Sequence, residues 1–401
     1  MTLFLSGCAV TPPAVGTVRP VCFGGDQAET PRRAPSGNAD SATTSGIVVL
    51  AATATSAEPR PTVPAGVVAE LTALGARDDA CAVLIVGSRD NVTITTMPIT
   101  PRRANGQVER GSHRAAALQA NIRAIAAALA QAQSVHPGLD TLGLLHEVAA
   151  RYAPSTVYLF TSGIQTEAPI DLRSWGWGAD PGTITAFVAA ERWLPNLSGW
   201  RVVGIGLGDA AGSQPRLTPP LHERVTALWT AICRASHARD CQLQTRRTAA
   251  APPLSTNRVP VVALPAPRVT PQQLTIPDSL LFALGSATLT PSADSILADV
   301  ALRGRRDYLS VVGHTDASTG TVDGNNRLSL DRAHAVAARL VALGVPEDHL
   351  QTIGAGSAGF SREDEQHDPG LISAHRCVTI TFLPISDSPA PAVVPTPAET
   401  R

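Results

Sequence analysis

A strand, a polar loop and a long helix follow one another between Tyr308 and Leu343. Their charges constrain the chain more than any other segment. Tyr308-Leu309-Ser310-Val311-Val312 is an apolar run that ends in Gly313, and a Gly-containing loop follows it. Asp316 leaves the strand, and Arg332 enters the first turns of the helix. Across 327–343, Leu328, Ala333, Val336, Ala337, Leu340 and Val341 recur at helical spacing. Gly344, with Pro346 beyond it, stops the helix. Segments 308–313, 350–353 and 377–382 are rich in β-branched residues and read as strands. With helices over 292–303 and 327–343 they make an α/β sandwich. Such a fold can bring Asp316 and Arg332 to one cleft, where an anion and a cation together suit a zwitterionic ligand. The plainer alternative is an internal salt bridge tying the loop to the helix, the usual fate of an arbitrary Asp and Arg.

The wider pattern favours a ligand. Gly313-His314-Thr315-Asp316, then Gly320, Asn325, Leu328-Ser329 and Arg332-Ala333, resembles the central signature of the OmpA-like peptidoglycan-binding domain. Upstream, Leu280-Leu281-Phe282, Gly285-Ser286-Ala287 and Leu289-Thr290-Pro291 resemble its first strand and the entry to its first helix. Downstream, Gly354-Ala355-Gly356 and Ala374-His375-Arg376-Cys377-Val378 stand where that family has a Gly-x-Gly turn and an Asn-Arg-Arg-Val strand. The resemblance implies that Asp316 takes the free amine of diaminopimelate and Arg332 its carboxylate. Asn325 and Leu328 would shape the pocket around the stem peptide, with Thr315 and Arg376 beside them. Four departures accompany it. The loop from Asp316 to Asn325 is one residue longer than usual. Ala283 replaces an acid, Gly285 replaces an asparagine, and His375 and Cys377 replace the asparagine and second arginine of the last motif.

The N-terminus carries another signal. Leu5-Ser6-Gly7-Cys8 fits a lipobox, in which the thiol of Cys8 is lipidated and anchors the chain to a membrane. Only Met1-Thr2-Leu3-Phe4 precede it, so either the true start lies upstream or the likeness is accidental. No stretch reaches the ~18–20 apolar residues that span a bilayer. The net charge is −1, all 32 basic residues are arginine, and aromatics are only 4%, which argues against nucleic-acid binding. The six cysteines show no metal-ligand spacing. Cys233 with Cys241, and Cys22 with Cys81, could form bridges outside the cytosol, or the thiols could be buried and free.

Composition divides the rest. Residues 1–44 comprise the lipobox and a flexible tether, and 249–275 form a Pro-rich linker expected to be semi-rigid and extended. The OmpA-like part covers 276–385, and 386–401 reads as a disordered tail. Between the linkers, 45–248 alternates apolar strands (46–52, 82–87, 92–96, 156–160, 201–207) with helices (113–133, 142–151, 221–234), as a doubly wound, mostly parallel sheet does. Val48 to Ser56, Gly138-Leu139-Asp140-Thr141-Leu142-Gly143 and Tyr158 to Gly163 resemble the metal-site segments of the von Willebrand factor A domain. Here the first acid falls on Ala52 or Ala51, the threonine on Leu139 and the last acid on Ser162. Thr53, Thr55, Ser56 and Asp140 leave oxygens without a pair of carboxylates, so no metal is expected.

Trp175-Gly-Trp177-Gly, with Trp193 and Trp200, could form a partner-binding lip, but such residues more often cover a core. His113, His136, His146 and His222 read as surface or capping groups, and His314 as scaffold. No Gly-x-Ser-x-Gly elbow, Walker sequence or other catalytic constellation is present. The expectation is a non-enzymatic envelope protein, without cofactor, that binds the peptidoglycan stem peptide. Residues 45–248 would serve an unknown protein partner. The rivals are a cell-wall-modifying enzyme and a metal-dependent adhesion protein.

Overall fold

The computed structural model describes residues 46–89, 91–243 and 251–384. The lipobox with Cys8, the tether with Cys22 and the tail after 384 lie outside the described residues. The first unit is a six-stranded sheet in the order β3-β2-β1-β4-β5-β6, built from β1 (Ile47–Ala52), β2 (Cys81–Ser88), β3 (Asn91–Pro98), β4 (Thr156–Phe160), β5 (Arg201–Ile205) and β6 (Asp240–Gln242). All neighbours run parallel except the β2–β3 hairpin. Alternate residues of β1 feed opposite cores: Val49 and Ala51 pack on one face, Val48, Leu50 and Ala52 on the other. Both faces are buried, which is why β1 reads as unbroken apolar sequence.

Helices α1 (Ala65–Leu74) and α2 (Arg114–Ala130) cover one face through Val67, Leu71, Leu118, Ile122, Ile125 and Leu129. The other face carries α3 (Thr141–Arg151), α5 (Pro181–Ala190) and α6 (Pro219–Ala235), with the short α4 (Leu172–Trp175) at its margin. Each start has a local cause. Asp140 accepts from Gly143 N at α3, while Asp180 accepts from Thr183 N at α5, where Pro181 opens the first turn. Cys233 and Cys241 form a disulfide between the end of α6 and β6.

The second unit is a five-stranded sheet in the order β10-β9-β11-β8-β7. Its strands are β7 (Arg268–Val269), β8 (Gln273–Pro277), β9 (Asp307–Gly313), β10 (Leu350–Gly354) and β11 (Cys377–Pro384). Helices α8 (Ala293–Gly304) and α9 (Val322–Ala342) pack on one face over Ile276, Leu309, Val311, Val378 and Ile380. The opposite face stays half-exposed, so β9 alternates buried and open positions. Helix α9 begins five residues before 327 because Thr321 caps it, accepting from Gly324 N. It ends where Gly344 takes a φ of 95°, a left-handed turn that favours glycine. The remaining helices are α7 (Asp278–Leu281), α10 (Arg362–His367) and α11 (Pro369–His375).

Two expectations are corrected. Leu280-Leu281-Phe282 is not a strand: α7 occupies 278–281, and the strand in its place is β8, which begins at Gln273 within the segment assigned to the linker. Nor is 249–275 a free spacer. Ser255 and Asn257 donate to the carbonyls of Ser134 and Val135, Val262 is held by Gln214, and Val259 and Val262 are buried. Its prolines prevent a regular ladder, yet the apolar residues between them gain more from packing on the first unit than from water.

Candidate functional site

Five charged side chains converge where the two units meet: Arg224 from α6, Asp278 from α7, Asp316 after β9, Arg332 from α9 and Arg376 at the start of β11. All are at least nine-tenths buried. Asp316 Oδ2 accepts from Arg376 Nε at 2.5 Å, and Oδ1 accepts from the backbone N and the hydroxyl of Thr319 at 2.7 and 2.8 Å. Arg332 Nη2 stands 3.3 Å from Asp278 Oδ2, its Nε donates to Ser286 O, and its guanidinium lies over the Phe282 ring. Asp316 and Arg332 therefore share one charged cluster, but each is paired with a different residue and they do not face across an open gap. The long loop matters here, because Thr319 falls at the acid's free oxygen.

The other expected residues form the cluster's frame. Asn325 Nδ2 donates to the carbonyls of Asp316 and Thr319 and so pins the loop. Thr315 is buried, and its backbone N donates to Gly356 O in the Gly-x-Gly turn. Leu328 is half-buried near the start of α9. Sequence reasoning missed Glu365, which is fully buried, accepts from Ala317 N and Ser318 Oγ, and meets His375 Nδ1 at 2.7 Å. It lies among the exposed acids of α10, and only its contacts separate it from them. Asp278 and Arg224 were also missed, since neither sits in a recognisable pattern.

Within these five, three guanidinium groups face two carboxylates, and Asp180 outside them also acts on Arg224. Burial draws the pKa values of Arg224 and Arg332 below their usual range, and the nearby Asp278 partly offsets this. Arg224 comes nearest to Asp278 at 3.8 Å, and its Nε, Nη1 and Nη2 find no protein acceptor. His314 packs at 5.9 Å from the Phe360 ring, and burial, helped by His375, holds its pKa below the usual histidine value.

At the strand ends of the first unit a second polar cluster surrounds Glu58. Its carboxylate accepts from the hydroxyls of Thr53, Thr55 and Thr161 and from the backbone N of Thr55 and Ser162, all at 2.6–3.0 Å. Thr141 joins through Thr161 at 2.9 Å, whereas Leu139 lies in the apolar core. The hydroxyl that reaches this cluster from the 138–143 segment is therefore that of Thr141, and Leu139, where the threonine is expected, contributes none. Asp140 turns away to Gly143 N and Gln165 Nε2. Glu58 escaped notice because it follows the strand by six residues and precedes Pro59. No grouping of three metal-ligating side chains occurs among the described residues. Trp175, Trp177 and Trp200 are buried, while Trp193 is partly open and carries Arg89 over its ring.

Residues 281–369 match the OmpA family model. That stretch carries Thr315, Asp316, Asn325, Leu328 and Arg332, and stops short of Arg376. The probable lipoprotein YiaD of Escherichia coli is 39% identical over 89 residues, which is 21% of this chain and 40% of that protein. The chain therefore spans about two-fifths of the length of that curated relative. Among solved structures, the periplasmic domain of Helicobacter pylori MotB is 21% identical, with 30% of this chain and 90% of that one covered, at a TM-score of 0.25. The cell wall anchor of the T6SS from Pseudomonas aeruginosa is 24% identical, covering 30% and 87%, with a TM-score of 0.25. The peptidoglycan-associated lipoprotein from Burkholderia pseudomallei is 18% identical, covering 28% and 89%, with a TM-score of 0.22. No helix among the described residues is long and apolar enough to cross a membrane.

Proposed function

We propose that this chain is a cell-envelope protein that binds peptidoglycan non-covalently through residues 276–385. One observation carries the reading: the OmpA family match at 281–369 includes the acid and the arginine that become buried neighbours. The name of the 39%-identical relative, a probable lipoprotein, points to the envelope as well. In the finer reading, Asp316 takes the amine of diaminopimelate and Arg332 its carboxylate. The three guanidinium groups of the cluster suit that division, because a ligand carboxylate can pair with one of them. Asn325 fixes the loop that aims Asp316, and Arg376 is its resting counter-ion.

Lipidation of Cys8 would hold the chain at a membrane while the second unit reaches the wall. We read the first unit, with its sheet order β3-β2-β1-β4-β5-β6, as von Willebrand A-like, and Glu58 would then fill the switch point in place of a metal. Its role is protein interaction without catalysis. The test is pelleting of the full chain with purified diaminopimelate-type sacculi, with and without a soluble diaminopimelate-containing tripeptide. Pelleting that the tripeptide abolishes, and that lysine-type walls do not support, is expected. Pelleting unaffected by millimolar tripeptide would overturn the pocket assignment.

A further inference from the structure

The interface between the two units has features of a fitted contact. Helix α11 of the second unit sends Ile372, 3% exposed, into the hydrophobic core of the first, beside Trp175 and Trp177. Around it the Trp175-Gly-Trp177-Gly loop and α11 approach so closely that side chains would collide. A Cβ on Gly176 would lie 2.8 Å from Ser373 Cβ, and one on Gly178 2.9 Å from Ser373 Cα. A Cβ on Gly370 would lie 2.8 Å from the carbonyl of Ser174. Gly178 is bonded twice across the interface: its N donates to Ser373 Oγ, and its carbonyl accepts from Arg376 Nη1, both at 2.7 Å. Arg376 is also the counter-ion of Asp316, so one guanidinium joins the covering loop to the acid of the candidate pocket.

We infer that the first unit is a cap that closes the peptidoglycan cleft of the second, so that capping and stem-peptide binding exclude each other. This rests on the binding reading given above. In the capped chain Asp316 and Arg332 are 1% and 3% exposed, and the guanidinium on Asp316 is held in place by the cap's Gly178 carbonyl, so a ligand amine must displace it. Closure is also poised. Arg224 enters the interface with three nitrogens that make no hydrogen bond to the protein, and its ion pair with Asp278 Oδ1 is long, at 3.8 Å. Buried groups in that state cost stability that opening to water returns. The Ile372 plug and the Gly178 bonds favour the closed form, and Arg224, buried without a hydrogen bond to the protein, opposes it.

The test uses the full chain with a wedge from either side, Gly178→Leu or Ser373→Arg; neither side chain is a proposed ligand contact, and Ser373→Arg also leaves the Gly178 carbonyl that holds Arg376 in its own loop unchanged. Small-angle scattering reports opening, circular dichroism reports folding, and sacculus pelleting reports binding. If the closed form dominates ~10:1, a wedge should tighten apparent binding by up to ~10-fold, since affinity is reduced by the competent fraction. Expanded, folded variants that bind several-fold more tightly than the parent are the expected result. Expanded variants that pellet no better than a pelleting parent would overturn the cap and leave the binding reading intact. Variants as compact as the parent would also overturn it. Expanded variants and parent alike failing to pellet would remove the binding reading and the cap with it.

Discussion

Arg376 Nε meets Asp316 Oδ2 at 2.5 Å in a site where both residues are buried. The acid at the centre of the signature is thus held by its own chain. Removing the guanidinium would strand a carboxylate away from water, the costly way to break a buried pair. Arg376→Ala is expected to destabilise the second unit by about 3–5 kcal/mol, seen as an earlier denaturant transition. A shift below ~1 kcal/mol would mean that Asp316 is better hydrated than its burial indicates.

Glu58 should behave similarly in the first unit. Its carboxylate answers donors from the loop after β1 and from the end of β4. Glu58→Ala leaves those buried donors unmatched at roughly 1–3 kcal/mol for each one not rescued by water. Hydrogen exchange at Thr55 and Ser162 should accelerate strongly. Unchanged exchange at both amides would show that the carboxylate is not their partner in solution.

The Cys233–Cys241 disulfide closes a short loop at the edge strand β6. Cys233→Ser should lower stability by about 2–3 kcal/mol through the greater freedom of the unfolded chain. Calorimetry of the variant, with the parent in and out of reductant, checks this. A reductant that leaves the parent's transition unmoved would contradict it.

Cys377 is buried at the start of β11, and burial pushes its thiol up to about 11. The native state keeps its proton at pH values where the unfolded thiol, with an ordinary value of 9.0, has lost it. Stability from this group is therefore whole below pH 9 and declines as pH rises from 9 through 11, by about 3 kcal/mol. Native protein at pH 8.5 should react slowly with a thiol reagent and quickly once unfolded. Fast labelling of the folded chain would refute the burial.

Much of this architecture was legible because its signals are local. Leu328 to Val341 recur at helical spacing, Gly344 and Pro346 stop the helix, and the apolar runs at β1, β4 and β5 mark doubly buried strands. The short elements were not legible. β6, β7, α4 and α11 carry too few residues to establish a period, and tertiary contacts hold them in place. The Pro-rich 249–275 misled for a related reason, since its composition describes a chain in water and not one with a groove to lie in.

The sequence by itself determined which residues could form the charged site, because Asp316, Asn325 and Arg332 stand at fixed offsets along one strand–loop–helix unit. Their partners were decided only by the tertiary structure. Arg376 lies 60 residues from Asp316. Gly178 lies 198 residues from Arg376. Contacts at that separation depend on how sheets and helices stack, and no spacing along the chain encodes which far carbonyl or guanidinium will fill an acid's free lone pair.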